Sequence, residues 1–307
     1  MSTVNPNIQF KPRKKKYQLL LMAAPFLLLV LMFNYVPLFG WSFSLFNYRP
    51  GVPLLESKFV GLKYFQMFLT DKYDMYRVMK NTVIFALIGY LVSPLPMIFA
   101  IMLNEVKHVR YQKAVQTIST MPNFVSWVIV YSLMFTIFST DGVFNEVMMR
   151  LGIISSPTNV LADKNSVYWF QTLLGQWKNL GWSSIIYLAA IAGIDQEMYE
   201  AANIDGANRF QSIIHITVPS LMPTFIVLLL LSIGNFVNVG FDQYFVFKNN
   251  VTAANIEVLD LYVYRIGLMN SDYSYGVAIG IMKSFVSIAL LVIANTLSKK
   301  VRGTSIV

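Results

Sequence analysis

Six stretches of the chain are almost continuously apolar: 19–41, 82–103, 116–139, 170–193, 219–241 and 277–297. Each holds about twenty residues, enough for a helix to cross a hydrocarbon core of roughly 30 Å. The fourth is the most polar of them, because it carries Gln176, Lys178, Asn179, Ser183 and Ser184. The pattern predicts an all-α integral membrane protein with six transmembrane helices. Residues 60–81 also have helical periodicity and are read as a helix lying along the membrane surface.

Composition agrees. Of the residues, 56% are hydrophobic and 13% charged, against about 25% charged in soluble domains, and the mean hydropathy is +0.55. The net charge of +9 suits nucleic acid less well than topology, since Lys and Arg collect on the cytoplasmic side of membranes. With the N-terminus inside, the segments 1–18, 104–115, 194–218 and 298–307 carry 12 Lys and Arg against 5 Asp and Glu. The opposite segments, 42–81, 140–169 and 242–276, carry 10 against 10. Both termini are therefore expected in the cytoplasm of a multi-pass cell-membrane protein. Arg77 and Lys80 go against the bias. The basic run Lys11–Lys16 before the first apolar stretch resembles a signal peptide, but that stretch is long and lacks a small-x-small cleavage site. It is read as an uncleaved helix.

Cysteine is absent and histidine occurs twice, which excludes disulfides, thiol chemistry and a Cys or His metal cluster. No HExxH, GxSxG or close pair of acids falls inside an apolar stretch, and no GxxxxGK[ST] occurs, so neither an intramembrane enzyme nor a nucleotide site is indicated.

Between the fourth and fifth stretches lies YEAANIDGANRFQSIIHITVP, residues 199–219. Glu200, Ala201 and Ala202 favour a short helix. Gly206 can take positive φ for a sharp turn, and RFQSIIHITV can form a second helix. Pro219 and Pro223 are expected at the start of the fifth span, where a missing N–H is cheapest. The small side chains of Ala201, Ala202, Gly206 and Ala207 let another backbone approach closely.

This stretch resembles the EAA motif of the permease subunits of ABC importers: Glu-Ala-Ala, three residues, Gly, nine residues, Ile, one residue, an apolar residue, Pro. Glu200, Ala201, Ala202, Gly206, Ile216, Val218 and Pro219 fit at every spacing, and Asp205 with Ala207 matches the form common in the carbohydrate branch. Val218 stands where Leu is frequent. Trp177, Gly181, Tyr187 and Asn81-Thr82 extend the likeness, which is greatest to polysaccharide and oligosaccharide permeases of Gram-positive bacteria. The resemblance implies a type I importer permease fold with an importer core over about 77–298 inside a single membrane domain, 19–300. Basic tails at 1–18 and 301–307 flank it, and residues 194–218 form a cytoplasmic coupling loop. It implies a heterodimer with a second permease, two ATPase subunits that bind ATP and Mg, and an extracellular solute-binding protein that delivers a carbohydrate. In that scheme Glu200, Ala201, Ala202, Asp205, Gly206, Ala207, Ile216 and Pro219 couple to the ATPase. A permease for peptides or amino acids is the first alternative, and a membrane-embedded enzyme the second.

Within the spans, Ser232, Asn235, Asn238 and Asp242 fall on one helical face. They either line a sugar pathway or glue helices together. Trp177, Trp182, Tyr187 and Tyr244 are candidates for stacking on a sugar ring. Lys178 and Lys283 are the charges inside spans, and each can serve the pathway or snorkel to the surface. Ser93-Pro94-Leu95-Pro96 is expected to kink the second span, and Gly276, Gly280, Ser284 and Ser287 to pack the sixth closely.

Overall fold

The computed structural model describes residues 13–237 and 240–302. Its elements are helical. A single isolated bridge, Phe46 with Phe59, is the one strand-like pairing among the described residues. Helix α1, Arg13–Val30, passes through a π-turn, Leu31–Tyr35, into a 3-10 stretch, Val36–Leu45. Then come α2 (Lys63–Thr70), α3 (Asp74–Val92), α4 (Leu95–Asn104), α5 (Val109–Thr120), α6 (Trp127–Phe138) and α7 (Val143–Arg150). The second half holds α8 (Val167–Ala192), α9 (Gln196–Ile204), α10 (Arg209–Ser212), α11 (Val218–Gly234), α12 (Phe241–Phe247), α13 (Ala253–Ile256), α14 (Leu259–Tyr264) and α15 (Tyr273–Arg302).

Among the described residues, five helical runs are long and apolar enough to cross a membrane: Tyr17–Leu45, Asp74–Asn104, Trp127–Arg150, Arg209–Gly234 and Tyr273–Thr296. Helix α8 is also long, 26 residues or about 39 Å, but its polar residues keep it out of that set. The boundaries differ from the hydropathy reading in three places, each for a local reason. First, residues 60–81 are not one surface helix. Asp71 Oδ1 accepts hydrogen bonds from the N–H groups of Tyr73 and Asp74, which ends α2 and starts α3, so the second span begins near residue 74.

Second, 116–139 is broken. Helix α5 ends in a 3-10 turn containing Pro122, and α6 restarts at Ser126, whose side chain caps the N–H of Ile129. Third, 219–241 is displaced. Helix continues from Arg209 through α10 and α11 and stops at Gly234, so Pro219 lies inside a helix and not at its start.

A proline inside a helix lacks a donor and clashes with the carbonyl four residues back. Here the conflict is relieved by a π-turn, Ile213–Thr217, in which the N–H of Val218 reaches back to the carbonyl of Ile213. The same device precedes Pro37, where the Val36 N–H donates to Leu31 O. At Ser93-Pro94 the second span breaks between α3 and α4, as the sequence predicts.

Three buried clusters hold the bundle. Phe85, Val130, Leu174, Tyr244 and Phe247 pack at the Val167 end of α8. Met97, Ile101, Tyr187, Ile191 and Leu221 join α4, α8 and α11 at the other end. Tyr64, Val78, Tyr262, Tyr275 and Ile279 tie α2 and α3 to α14 and α15. In the small-residue stripe, Gly276 meets Gly267 so closely that a Cβ on it would stand 2.8 Å from the Gly267 Cα. Every residue from Tyr17 to Phe39 is exposed, so most of α1 stands clear of this chain's own core.

An ion network closes the Val167 end. Glu257 is buried and receives Arg265 (2.7 Å), Arg77 (3.0 Å) and Lys248 (3.5 Å), while Arg77 also pairs with Asp74 at 2.8 Å. Burial pushes the Glu257 carboxyl up, but the hydrogen bond and charge of Arg265, with Lys248 and Arg77, outweigh it and hold the carboxyl below its ordinary value. Arg77 departs from the charge bias because it answers a buried acid. Beside it, Asn81 Nδ2 donates to the carbonyls of Ala254 (2.8 Å) and Glu257 (3.0 Å), and Thr82 Oγ1 accepts from the N–H of Leu259. The Asn81-Thr82 pair therefore fastens the start of the second span to the segment before α14.

Candidate functional site: a neutral cavity and a helix-turn-helix

A cavity of about 630 Å³ lies between α3, α4, α8, α11 and α12, a size ordinary for small-molecule sites. Both interrupted spans reach it: Ser93 and Pro96 from the α3–α4 break, Asn235 and Phe236 from the turn after α11. Non-helical backbone at membrane depth is tolerated where it lines protein or a water-filled space. Aromatic walls come from Phe85, Tyr90, Trp182, Tyr187, Phe236 and Tyr244, and polar ones from Gln171, Gln176, Asn179, Ser232, Asn235 and Gln243. Among the described lining residues none is charged.

The predicted pathway residues divide. Trp182, Tyr187, Asn235 and Tyr244 line the cavity. Tyr244 is almost fully buried, 4.7 Å from the ring of Phe85, and Trp182 meets Phe124 edge-on at 5.8 Å. Asn238 lies outside the described residues. Asp242 is exposed on α12, beyond the helix end at Gly234, so the single polar face drawn through Ser232, Asn235, Asn238 and Asp242 on one helix does not form. Trp177 is exposed and away from the cavity. Lys178 is buried on another face of α8. Its Nζ donates to Asn123 O at 2.8 Å and sits 5.3 Å from the Trp127 ring. Lys283 pairs with Asp260, both mostly buried. Neither lysine snorkels; each is fixed to a partner within the chain.

Sequence reading missed Gln171, Gln176, Asn179 and Gln243. The signal was present: Thr172, Gln176, Asn179 and Ser183 recur at intervals of four, three and four, one face of a 3.6-residue helix. Those residues marked the fourth stretch as weakly apolar, when they mark the cavity side of α8.

The second feature is the loop 195–219. Asp195 caps α9 by accepting from the Glu197 N–H. The helix ends with the Ala207 N–H on Ala202 O (2.9 Å) and the Gly206 N–H on Asn203 O (3.1 Å), a Schellman closure. Gly206 has φ +78°, as its place in the turn requires. Asn208 and Gln211 form a reciprocal capping box for α10. The expected helix-turn-helix thus forms. Tyr199 Oη and Thr217 Oγ1, 2.9 Å apart, brace it against the π-turn. Ala202, Asp205, Gly206, Ala207 and Ile216 surround one hollow of about 310 Å³, while Glu200, Ala201 and Pro219 face outward. Ile204, Phe210 and Met198 are apolar yet exposed, Ile204 at 87%.

Comparison with known proteins gives the family. Residues 93–303 match the family model described as binding-protein-dependent transport system inner membrane component. Protein LplB of Bacillus subtilis (strain 168) is 39% identical over 292 residues, covering 94% of this chain and 90% of that protein. The polygalacturonan/rhamnogalacturonan transport system permease protein YteP of the same organism is 38% identical over 292 residues, with 94% and 89% covered. A solved bacterial ABC transporter involved in the import of the acidic polysaccharide alginate contains a chain with TM-score 0.85 and 32% identity, covering 94% of this chain and 97% of that one. A second structure, of a bacterial alginate ABC transporter with an alginate pentasaccharide-bound periplasmic protein, gives TM-score 0.86 at 31% identity over 97% of this chain and 100% of that one. The chain therefore belongs to the binding-protein-dependent transport system inner membrane component family, the multi-pass permease subunits of ABC importers.

Proposed function

We propose that this chain forms one half of a pathway through which a carbohydrate, delivered by an extracellular binding protein, enters the cell at the expense of ATP hydrolysed by a partner. The observation that carries the carbohydrate reading is the cavity: aromatic faces beside amides and hydroxyls, the pairing that suits a sugar's apolar ring faces and polar edges. Relatives named for oligosaccharide or polysaccharide import point the same way.

In this reading α8 is the fourth of six spans, and both termini lie in the cytoplasm. The core is about 77–298, within a membrane domain of 19–300. Helices α9 and α10 then face the cytoplasm as the coupling element. Their exposed Ile204, Phe210 and Met198 form an apolar surface for the ATPase, and Glu200 meets its polar groups. Two ATPase subunits and a second, different permease complete the assembly, since one such cavity wall leaves the other side to a partner. Packed elements shift as rigid bodies, so closure of the ATPases would tilt the helix-turn-helix and the continuous helix Arg209–Gly234 together.

Purification in mild detergent is expected to recover a second permease and an ATPase with this chain. A variant tests the coupling. A Cβ at Gly206 meets nothing within 4 Å, so the penalty of Gly206→Val is backbone strain of about 1–2 kcal/mol, confined to the turn. The assembly should still be recovered, with ATP hydrolysis no longer linked to uptake. Uptake equal to wild type at equal expression would refute the coupling role.

A further inference from the structure

Helix α12 has two working faces. Gln243 and Tyr244 line the cavity, whereas Phe241 and Phe245 line two other hollows. The larger, about 670 Å³, is a groove between the 3-10 stretch Val36–Leu45, α14 and α15. Gly40, Gly276 and Gly280 give it room, and Trp41, Phe241 and Tyr264 wall it. A Cβ on Gly280 would meet nothing within 4 Å, so the groove is open at that depth. Gly280 lies about 10 Å along α15 from its start at Tyr273, which is acyl-chain depth in a bilayer. Asp260 also lines the groove, but its pairing with Lys283 neutralises it. The smaller hollow, about 260 Å³, lies beside the loop after α12 and is lined by Lys248, Asn249, Asn250 and Arg265. Tyr264 borders both hollows. Its ring packs on Phe241 at 5.0 Å and on Phe245 at 5.3 Å, and those two rings stack at 5.1 Å. The groove and the smaller hollow therefore adjoin along one aromatic ridge.

The rim is cationic and reachable. Lys248 and Arg265 are 30% and 27% exposed. In their ion network three cations, Arg77, Lys248 and Arg265, share two acids, Asp74 and Glu257, which leaves one positive charge over. Of the three contacts to Glu257, that of Lys248 is the longest, at 3.5 Å. An apolar groove at acyl depth that opens under a cationic rim has the charge pattern of an anionic amphiphile. Basic pockets between membrane helices hold phosphate head groups in this way, with Arg and Lys both suited to phosphate oxygens. A helix of a partner protein would fill the groove and leave the rim to a separate acid. A lipid brings the anion and the apolar chain in one molecule.

We propose that these adjoining hollows bind one phospholipid with an anionic head group, its phosphate on Lys248 and Arg265 and an acyl chain along Gly280. The site requires only that the chain spans a membrane, and it stands apart from the carbohydrate reading. The test uses the complete transporter, reconstituted in vesicles of equal phosphatidylglycerol and phosphatidylcholine and re-extracted in mild detergent. Retained lipid is counted by mass spectrometry. Wild type is expected to retain phosphatidylglycerol over phosphatidylcholine. Lys248→Gln should lower that preference about fivefold, the effect of one basic residue beside an anionic lipid, and Lys248→Arg should keep it. Gly280→Leu, which fills the groove with its own side chain, should lower retention of phosphatidylglycerol. Occupancy is read directly with a photoreactive benzophenone on Leu268→Cys, since Leu268 is exposed at the groove edge and the chain has no other cysteine. A lipid adduct is expected.

Equal retention by wild type, Lys248→Gln and Gly280→Leu overturns the site. An unchanged preference in Lys248→Gln, with retention lost in Gly280→Leu, overturns the anionic head group. Displacement of phosphatidylglycerol by millimolar inorganic phosphate makes the rim a site for the free anion and overturns the lipid. A photoadduct with the second permease in place of lipid makes the groove a protein interface and overturns the proposal even where Gly280→Leu fails to assemble.

Discussion

Replacing Glu257 by glutamine is expected to destabilise the protein by about 3 kcal/mol, the usual result of removing one partner from a buried ion pair. The carboxylate is 3% exposed and is shared by Arg265, Arg77 and Lys248. Glutamine keeps the shape and removes the charge, leaving three partly buried cations facing one another. The damage should spread, because the same residue's carbonyl accepts from Asn81 and thereby ties α3 to the segment before α14. Thermal unfolding in detergent, followed by intrinsic fluorescence, reads the change as a lowered Tm. Glu146→Gln is the control. Its partner Arg150 lies 2.5 Å away but both side chains are mostly exposed, so the expected change stays within about 1 kcal/mol. The two variants share a charge change and differ in burial; equal Tm values would contradict this account.

The pH dependence has a defined sign. The Glu257 carboxyl is held below its ordinary value, so it binds a proton more weakly folded than unfolded. Its contribution is complete above the unfolded pKa of about 4.3 and is lost as pH falls through the lower folded value. Wild type should therefore lose stability over that acid range more steeply than Glu257→Gln, which has no carboxyl to protonate there.

The second large effect is expected at Gly181. A Cβ on this residue would lie 2.3 Å from the carbonyl carbon and oxygen of Ser119 and 2.5 Å from Thr120 N. These are backbone atoms at the end of α5, so no side chain can swing aside. Gly181→Ala must push α8 away from the α5–α6 junction, which Lys178 and Trp182 hold from the same helix. Overpacking in a well-packed core costs about 1–3 kcal/mol, and a clash with backbone belongs at the upper end. Folded yield and Tm should both fall. Gly89→Ala, on α3 with nothing within 4 Å of its added Cβ, should be neutral or stabilising by up to about 1 kcal/mol. A Gly181→Ala protein as stable as wild type would mean that α5 and α8 do not meet in the folded chain.

How far the sequence was readable depends on the range over which each cause acts. At 195–219 the two helices and the turn at Gly206 were legible because Glu200, Ala201, Ala202 and Gly206 act within a few residues of themselves; the caps Asp195, Asn208 and Gln211 act as locally but were not read. The break at Ser93-Pro94 was legible for the same reason. Pro219 misled because a proline reads as a helix start unless a π-turn ahead of it opens the hydrogen-bond ladder, and nothing in ITVPS announces that turn. Hydropathy located the apolar runs but set their ends poorly: Asp71 and Ser126 cap helices through single side-chain bonds that an average over twenty residues does not register.

The candidate site was legible in part. Trp182, Tyr187, Asn235 and Tyr244 were identified by type and do line the cavity. Lys178 and Lys283 were identified by charge alone, and their partners Asn123 and Asp260 lie 55 and 23 residues away in the chain. The polar face drawn through Asn235 and Asp242 assumed one continuous helix, which stops at Gly234.

By itself the sequence determined that this chain lives in a membrane and that it carries a shaped loop of the importer type. These follow from composition and short-range spacing. Only the tertiary structure decided which polar groups face the cavity, which lysines are occupied elsewhere, and that Glu257 holds three cations together. Those outcomes depend on which distant segments meet, and a hydrogen bond or an ion pair over about 3 Å leaves no trace in the order of residues until the chain has folded.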